Sequence, residues 1–284
     1  MNILSLQSAV TRGHVGNSAA VFALQRLGHE VWPIDTVRFS NHPGRGAFRG
    51  ETTTAAEITA LVDGLAGHDW ISDVDAVLSG YLGSAEQGPA VLDAVTRVKS
   101  ANPKAIWALD PVIGDHGRIF VKPGIPEFIQ RIAADADVLT PNGFELSYLT
   151  SRSCERLADA REAANEFRLA GRAKTGRLVV ATGLAIAECG ADTLTTLAVG
   201  PTGSWRVTTP RLDHPANGAG DLFAALFLGR HLHGAPLDVA VAAAAGAVHA
   251  VIARSANARS AELLLIAAQA ELVRPTYPFP AVPV

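Results

Sequence analysis

The chain has 284 residues, 48% of them hydrophobic, and a formal net charge of -3. That is enough apolar material for a large core, and it leaves no broad basic field to hold a nucleic-acid backbone. Cys154 and Cys189 stand far apart, outside any metal-type spacing, which argues against a disulfide framework or a zinc site and suits a cytoplasmic protein.

In chain order, Met1-Asn2-Ile3-Leu4 lacks the basic region of a signal peptide. Ile3 to Leu6 predicts a buried first strand. Gly16 to Leu27 carries a helical face through Ala20, Ala23, Leu24 and Leu27, stopped by Gly28. Val31 to Val37 predicts a second strand. Helices are expected over Ala55–Gly67 and Ala85–Ala101, with a strand at Ala76–Leu78 between them. Ala105 to Leu109 reads as a strand ending at Asp110. Ile125–Ala134, Val138–Thr140 and Phe144–Leu149 continue the alternation. Arg156 to Gly171 is a polar-faced helix, and Leu178 to Thr182 another central strand. The alternation implies an α/β fold: a doubly wound, mostly parallel sheet flanked by helices.

Beyond this the pattern changes. Glu188 to Thr208 reads as short antiparallel edge strands, with turns at Gly190 and Pro201-Thr202-Gly203. Three helices are expected after them, over Gly218–Leu232, Pro236–Arg254 and Ser260–Leu272. The apolar run Val239–Ala253 contains Gly246 and His249 and is too short for a membrane span, so it predicts a buried core helix and no membrane partner. Pro275, Pro278, Pro280 and Pro283 keep the tail from regular helix. No repeat or linker divides the chain, which predicts one domain over residues 1–284.

The strongest chemical signal is Asn217-Gly218-Ala219-Gly220-Asp221, which opens a helix. The free N–H groups and dipole of a helix's first turn make an anion hole, and small residues let a phosphate approach. Asp221 within it is placed to accept a proton from an attacking hydroxyl. Taken alone, such an Asp is more often a dipole-stabilising residue. The context adds weight: Asp110-Pro111-Val112-Ile113-Gly114-Asp115, Thr140-Pro141-Asn142-Gly143-Phe144-Glu145 and Thr182-Gly183 each follow a central strand, at the edge where doubly wound sheets bind ligands. Gly13, Gly16 and Asp35 partly mimic a dinucleotide fingerprint, but the third glycine is missing and Gly13 lies beyond the strand-helix turn.

With these segments the chain resembles the ribokinase-like superfamily. Leu6-Gln7-Ser8, Arg12-Gly13-His14-Val15-Gly16-Asn17, Val37-Arg38-Phe39-Ser40-Asn41-His42 and Ser79-Gly80-Tyr81-Leu82-Gly83-Ser84 are similar to its pyridoxal kinase branch. The resemblance implies ATP-dependent phosphorylation of the 5′-hydroxyl of a vitamin B6 compound, with Asp221 as base and the backbone of Gly218, Ala219 and Gly220 as anion hole. It implies that Ser8 contacts the pyridine ring, Val15, Val37 and Phe39 wall it, Tyr81 covers it and His42 reaches its polar edge. Pro43 stands where the family commonly has Thr, so one hydroxyl is missing. On the nucleotide side it implies Asp110, Thr140, Glu145, Thr182, Gly183 and the run Thr209, Pro210, Arg211 and Leu212, with Mg2+ near Asp115 and Glu145. Thr140 and Thr182 also look like positions for a monovalent cation such as K+, and the family implies a homodimer. A hydroxymethylpyrimidine-type kinase of the same fold, or a non-catalytic small-molecule-binding protein, are the alternatives.

Overall fold

The computed structural model describes residues 1–171, 176–215 and 217–284. The first strand, β1 (Asn2–Val10), leads into α1 (Asn17–Arg26) and returns as β2 (Glu30–Phe39). A short β3 (Gly50–Thr52) follows, then α2 (Ala55–Gly67), started by a capping box in which Thr54 and Glu57 satisfy each other's backbone N–H groups. Next come β4 (Val74–Ser79), α3 (Gln87–Ala101) and β5 (Ile106–Leu109).

A hairpin of β6 (Gly114–Asp115) and β7 (Arg118–Ile119) precedes α4 (Ile125–Ile132). It turns on His116 and Gly117, both at positive φ, as a two-residue turn requires. The alternation continues with β8 (Val138–Leu139), α5 (Gly143–Thr150), α6 (Leu157–Ala170) and β9 (Leu178–Leu184). The antiparallel pair β10 (Thr193–Gly200) and β11 (Gly203–Pro210) comes next, then α7 (Ala219–Leu232), α8 (Leu237–Asn257), α9 (Gln269–Val273) and β12 (Val282–Pro283).

Among the described residues, ten strands form one sheet in the order β12-β11-β10-β9-β8-β5-β4-β1-β2-β3. From β9 to β2 neighbours run parallel, while β3 at one edge and β10, β11 and β12 at the other run antiparallel. The central strands read as continuous apolar runs because both faces are covered. Leu4, Leu6, Val77, Trp107, Leu109, Val179 and Ala181 enter one core, which α2 to α6 cover. Their neighbours Ile3, Ala76, Leu78, Ala108, Leu178 and Val180 enter the other, under α1, α7, α8 and α9.

The expected α/β architecture and the antiparallel strands after β9 are present, and the structure corrects three expectations. The strands β3, β6, β7 and β12 are additional. The helix expected over Ser260–Leu272 shrinks to α9. Ahead of it Ser260 Oγ accepts from Glu262 N–H at 3.1 Å and Ser255 Oγ from Leu264 N–H at 2.9 Å, side-chain bonds that compete with a helical ladder. Leu263 and Leu265 are both buried, two residues apart, a spacing that one face of a helix does not give. Residues 187–189 form a single 3-10 turn, so the antiparallel pair begins at Thr193 and not at Glu188. At 21 residues α8 is longer than its apolar run, and one side of it packs into the second core.

Candidate active site

Parallel strands deliver their C-terminal ends to one edge of the sheet, where the acidic residues gather. Asp110 follows β5 and Thr140 follows β8, and both are buried. Thr140 Oγ1 donates to Asp110 Oδ1 at 3.3 Å. Glu145 is the third residue of α5 and is buried in a capping box with Asn142. Its Oε2 accepts from Asn142 N–H at 2.9 Å, and its Oε1 accepts from Ile113 N–H at 2.9 Å and Gly114 N–H at 3.4 Å. Glu145 therefore ties the loop after β5 to the start of α5. Asp115 is exposed in the hairpin turn, its Oδ1 accepting from His116 N–H at 2.7 Å.

Burying these carboxyls together disfavours their charged forms. Asp110 is pushed well above the ordinary aspartate range, by burial first and then by the negative charges of Glu145 and Asp221, with Thr140 acting against it. Glu145 is raised to about 7 by burial, although the N–H groups of Asn142, Ile113 and Gly114 pull it down.

The same edge meets the start of α7. Gly218 has φ of +90° and is packed so closely that a Cβ there would lie 1.9 Å from the carbonyl oxygen of His14. Only glycine fits that joint. On the next turn position, a Cβ at Gly220 would lie 3.9 Å from Asp110 Oδ2, so the Asp110 carboxylate faces the small residues of the first turn. The first ladder bond is Leu222 N–H to Gly218 O, which leaves the preceding N–H groups free of helical partners. Asp221 sits half-buried in this turn. Burial raises its pKa, opposed by the N–H groups of Gly16 and of Asp221 itself.

Two sets of residues flank this turn. On one side opens a cleft of about 1000 Å³ that is lined by Asp115, Thr182, Gly183, Thr209, Pro210, Arg211, Leu212, Ala219 and Gly220. The nucleotide residues expected from the sequence thus meet in one place, apart from Asp110, Thr140 and Glu145, which lie outside its lining. The cleft also takes Asn217 from the helix-start motif, and His116, His214, Phe223, Val248, His249 and Ile252, which sequence reading missed. Ala245, Val248, His249 and Ile252 recur at helical spacing, and that stripe on α8 was the available signal.

The residues expected around a pyridine ring reach this turn through Val15, which packs against Gly218, and through Gly16, which abuts Ser8. Ser8 is buried against Gly16, where a Cβ would stand 2.3 Å from Ser8 Oγ. Val15 is buried beside Gly218, and Val37 is buried beside Gly83. Tyr81 is half-buried, which raises its phenol pKa, and its carbonyl accepts from Thr36 Oγ1 at 2.7 Å. Phe39 packs on Phe48 with ring centroids 4.7 Å apart. His42 caps a single 3-10 turn, Pro43–Arg45, with Nδ1 accepting from Gly44 N–H at 3.1 Å. Pro43 is the first residue of that turn, a position that suits its fixed φ and missing N–H. Asp35, the partial dinucleotide mimic, instead accepts from Asn17 Nδ2 at 2.8 Å in the joint between β2 and α1.

The phosphomethylpyrimidine kinase family model matches residues 68–263. Over 278 residues the chain is 45% identical to the pyridoxal kinase PdxY of Granulibacter bethesdensis, covering 97% of each chain. It is 44% identical to that of Rubrobacter xylanophilus, covering 99% of this chain and 96% of that one. Among solved structures, pyridoxal kinase of Leishmania donovani in complex with ADP and ginkgotoxin superposes with a TM-score of 0.91 at 34% identity, covering 100% of this chain and 99% of that one. The same enzyme with ADP and pyridoxamine gives 0.90 at 34%, with the same coverage. A sheet of this order, a glycine-bound helix start at its ligand edge and likeness along nearly the whole length establish that the chain belongs to the phosphomethylpyrimidine kinase family of ribokinase-like enzymes, within its pyridoxal kinase branch.

Proposed function

We infer that this protein transfers the γ-phosphoryl group of ATP to the 5′-hydroxyl of pyridoxal, as a vitamin B6 salvage kinase. One observation carries the reading: the first turn of α7, bearing Asp221, lines the nucleotide-type cleft with Ala219 and Gly220 and packs against the Val15–Gly16 segment, which itself abuts Ser8. Asp221 takes the hydroxyl proton as the alcohol oxygen forms its bond to phosphorus and the bond to the ADP oxygen breaks. The backbone of Gly218, Ala219 and Gly220 holds the transferring group by its free N–H groups and the helix dipole. Thr182, Gly183 and residues 209–212 border the nucleotide, with Asp110, Thr140 and Glu145 behind them. Ser8 and Tyr81 orient the ring between the apolar walls of Val15, Val37 and Phe39, with His42 and Pro43 at its edge.

For magnesium, the donor set supports a fit. Asp110 and Glu145 are buried carboxyls, and the charge of Glu145 adds to the raised proton affinity of Asp110, a concentration of negative charge that a cation relieves. No cluster of three His, Cys, Asp or Glu forms a cage among the described residues. That suits an ion held mostly by phosphates and water, with Asp115 and Glu145 in its outer surroundings. When bound, it would neutralise charge on the nucleotide phosphates. Both oxygens of Glu145 already accept N–H groups, so its part is to place the loop and supply charge. A monovalent cation such as K+ at Thr140 and Thr182 rests on family resemblance alone, and turnover in potassium against sodium buffer tests it.

A cytoplasmic single-domain homodimer completes the reading. Free Cys154 and Cys189 fit a reducing compartment, and exposed Phe48 near the sheet edge at β3 offers apolar contact. Light scattering at micromolar concentration that shows a monomer would remove the dimer.

A hydroxymethylpyrimidine acceptor is the second reading, favoured by the name of the matched family model. That match begins at residue 68 and leaves out Ser8, Val15, Val37, Phe39 and His42, whereas the curated pyridoxal kinases match nearly the whole chain. A coupled ADP-release assay against pyridoxal, pyridoxine, pyridoxamine, hydroxymethylpyrimidine and ribose decides. Pyridoxal is expected to give the highest kcat/KM, and preference for hydroxymethylpyrimidine would overturn the assignment.

A further inference from the structure

The segment after β2 is held in place from an unexpected quarter. Its start runs beside the extension of β1, with Thr11 N–H donating to Phe39 O at 2.8 Å and Arg12 N–H to Ser40 O at 3.0 Å. Ser40 and Arg49 close the loop on itself, Ser40 N–H donating to Arg49 O at 2.7 Å and Arg49 N–H to Ser40 Oγ at 2.9 Å. Inside it the single turn Pro43–Arg45 carries His42 at its start and Arg45 at its end. This turn lies against the approach to α7: a Cβ at Gly44 would be 2.9 Å from His42 Nδ1 and 3.9 Å from Asn217 Nδ2.

Arg45 then reaches out of the loop. Its Nε stands 3.3 Å from Glu262 Oε1, in the segment between α8 and α9, and both side chains are mostly buried, at 24% and 17% exposure. Among the described residues Arg45 Nε is shut from solvent without a hydrogen bond, so the Glu262 carboxylate is what compensates its burial. The other Glu262 oxygen lies where a Cβ on Gly13 would be only 2.6 Å away, and Gly13 has φ of +105°. Ser260 Oγ accepts from Glu262 N–H and donates to its carbonyl, which fixes the backbone of that segment. Three loops far apart in sequence, around residues 13, 45 and 262, therefore converge on one ion pair, with Gly13 two residues before Val15 and Gly44 near Asn217, which precedes Gly218.

We propose that the Arg45–Glu262 pair is a latch that holds the 40–49 loop across the mouth of the acceptor pocket, making Glu262 a positioning residue for alcohol binding. The latch acts through His42 and Phe39, which sit on that loop and at its root. Arg45 also faces the His42 ring: burial first, then the Arg45 charge, hold its pKa below the ordinary histidine value, with Glu262 acting against them. A neutral ring with Nδ1 accepting from Gly44 N–H carries its proton on Nε2, and the turn so fixed presents the ring in one tautomer. Neither Arg45 nor Glu262 lines the nucleotide cleft.

The proposal rests on the acceptor reading given above, and its test separates the two. Glu262→Gln, Arg45→Met and the double variant are compared with the unaltered protein in steady-state kinetics and in amide hydrogen exchange of substrate-free protein. Each single variant is expected to raise the pyridoxal KM by about tenfold, with the ATP KM and kcat within about twofold. The double variant should be no worse than either single, because the pair acts as a unit. Residues 40–49 should exchange faster in all three. Unchanged pyridoxal KM and unchanged exchange would overturn the latch. So would equal loss for both substrates with a lowered Tm, which marks a merely structural pair. If the unaltered protein phosphorylates no B6 vitamer, the acceptor reading falls, and the exchange of residues 40–49 still decides whether the pair holds the loop.

Discussion

At a helix start the free N–H groups favour an anion, yet burial pushes Asp221 towards its neutral form. The balance suits a base that must both hold and release a proton. Asp221→Asn keeps the shape and removes the acceptor, so kcat is expected to fall at least ~100-fold with both KM values nearly constant. Near-normal turnover would remove the role. Glu145 makes a different prediction. Its ordinary pKa is 4.5 and its folded value about 7, so between those values the folded protein holds a proton that the unfolded chain has released. The stabilisation is complete below pH 4.5 and is lost as pH rises through 7. Glu145→Gln removes the charge as protonation does, its amide oxygen accepting N–H groups on one side only. Its Tm advantage over the parent, measured without nucleotide or metal, should therefore grow from pH 5 to 8, while its magnesium requirement for turnover rises. A constant Tm difference across that range would mean that Glu145 is charged throughout.

Among elements, α7 depends on a backbone that only glycine adopts. Gly218→Ala puts a methyl 1.9 Å from the His14 carbonyl at φ +90°, and strain of about 1–3 kcal/mol is expected besides a displaced helix start. Turnover should fall with stability. Gly234, at φ +79° with nothing within 4 Å of the methyl that alanine would add, is the control: Gly234→Ala should cost stability and leave turnover intact. If both variants keep full turnover, the start of α7 does not place the reacting groups. Elements like these were readable to different degrees. Strands such as β4 and β9 showed in the sequence because burial on two faces makes an unbroken apolar run. The two-residue strands β6, β7 and β12 carry too few side chains for any period to show. Leu263 and Leu265 counted as apolar helix positions, and the Ser255 and Ser260 hydroxyls, bonding locally, turned that stretch into bends and turns ahead of α9. Strand-end residues of the site were legible because the fold sends them to one edge. Phe223 and His249 were not, since a helix that lines a cleft and a helix that fills a core share one pattern.

Across the whole molecule, residues far apart in sequence finish the site. His249 on α8 lines the cleft and is met edge-on by Tyr277 and Phe279, at 5.1 Å and 4.9 Å between ring centres. The tail that carries them is fastened as β12 to β11, with Val284 N–H donating to Ser204 O at 3.0 Å. Replacing Tyr277 and Phe279 together by Ala removes two aromatic contacts of about 0.5–1.5 kcal/mol each and frees the His249 ring. The ATP KM is expected to rise severalfold while the pyridoxal KM holds, and a rise in the pyridoxal KM alone would place His249 elsewhere. The start of α7 has a stereochemical consequence as well. In the proposed reaction, with alcohol and nucleotide both brought to this one helix end, phosphorus has a single passage to make, entered from one face as the other is vacated. A γ-phosphate made chiral with oxygen isotopes and sulfur should emerge in the product as its mirror configuration, the signature of one direct displacement.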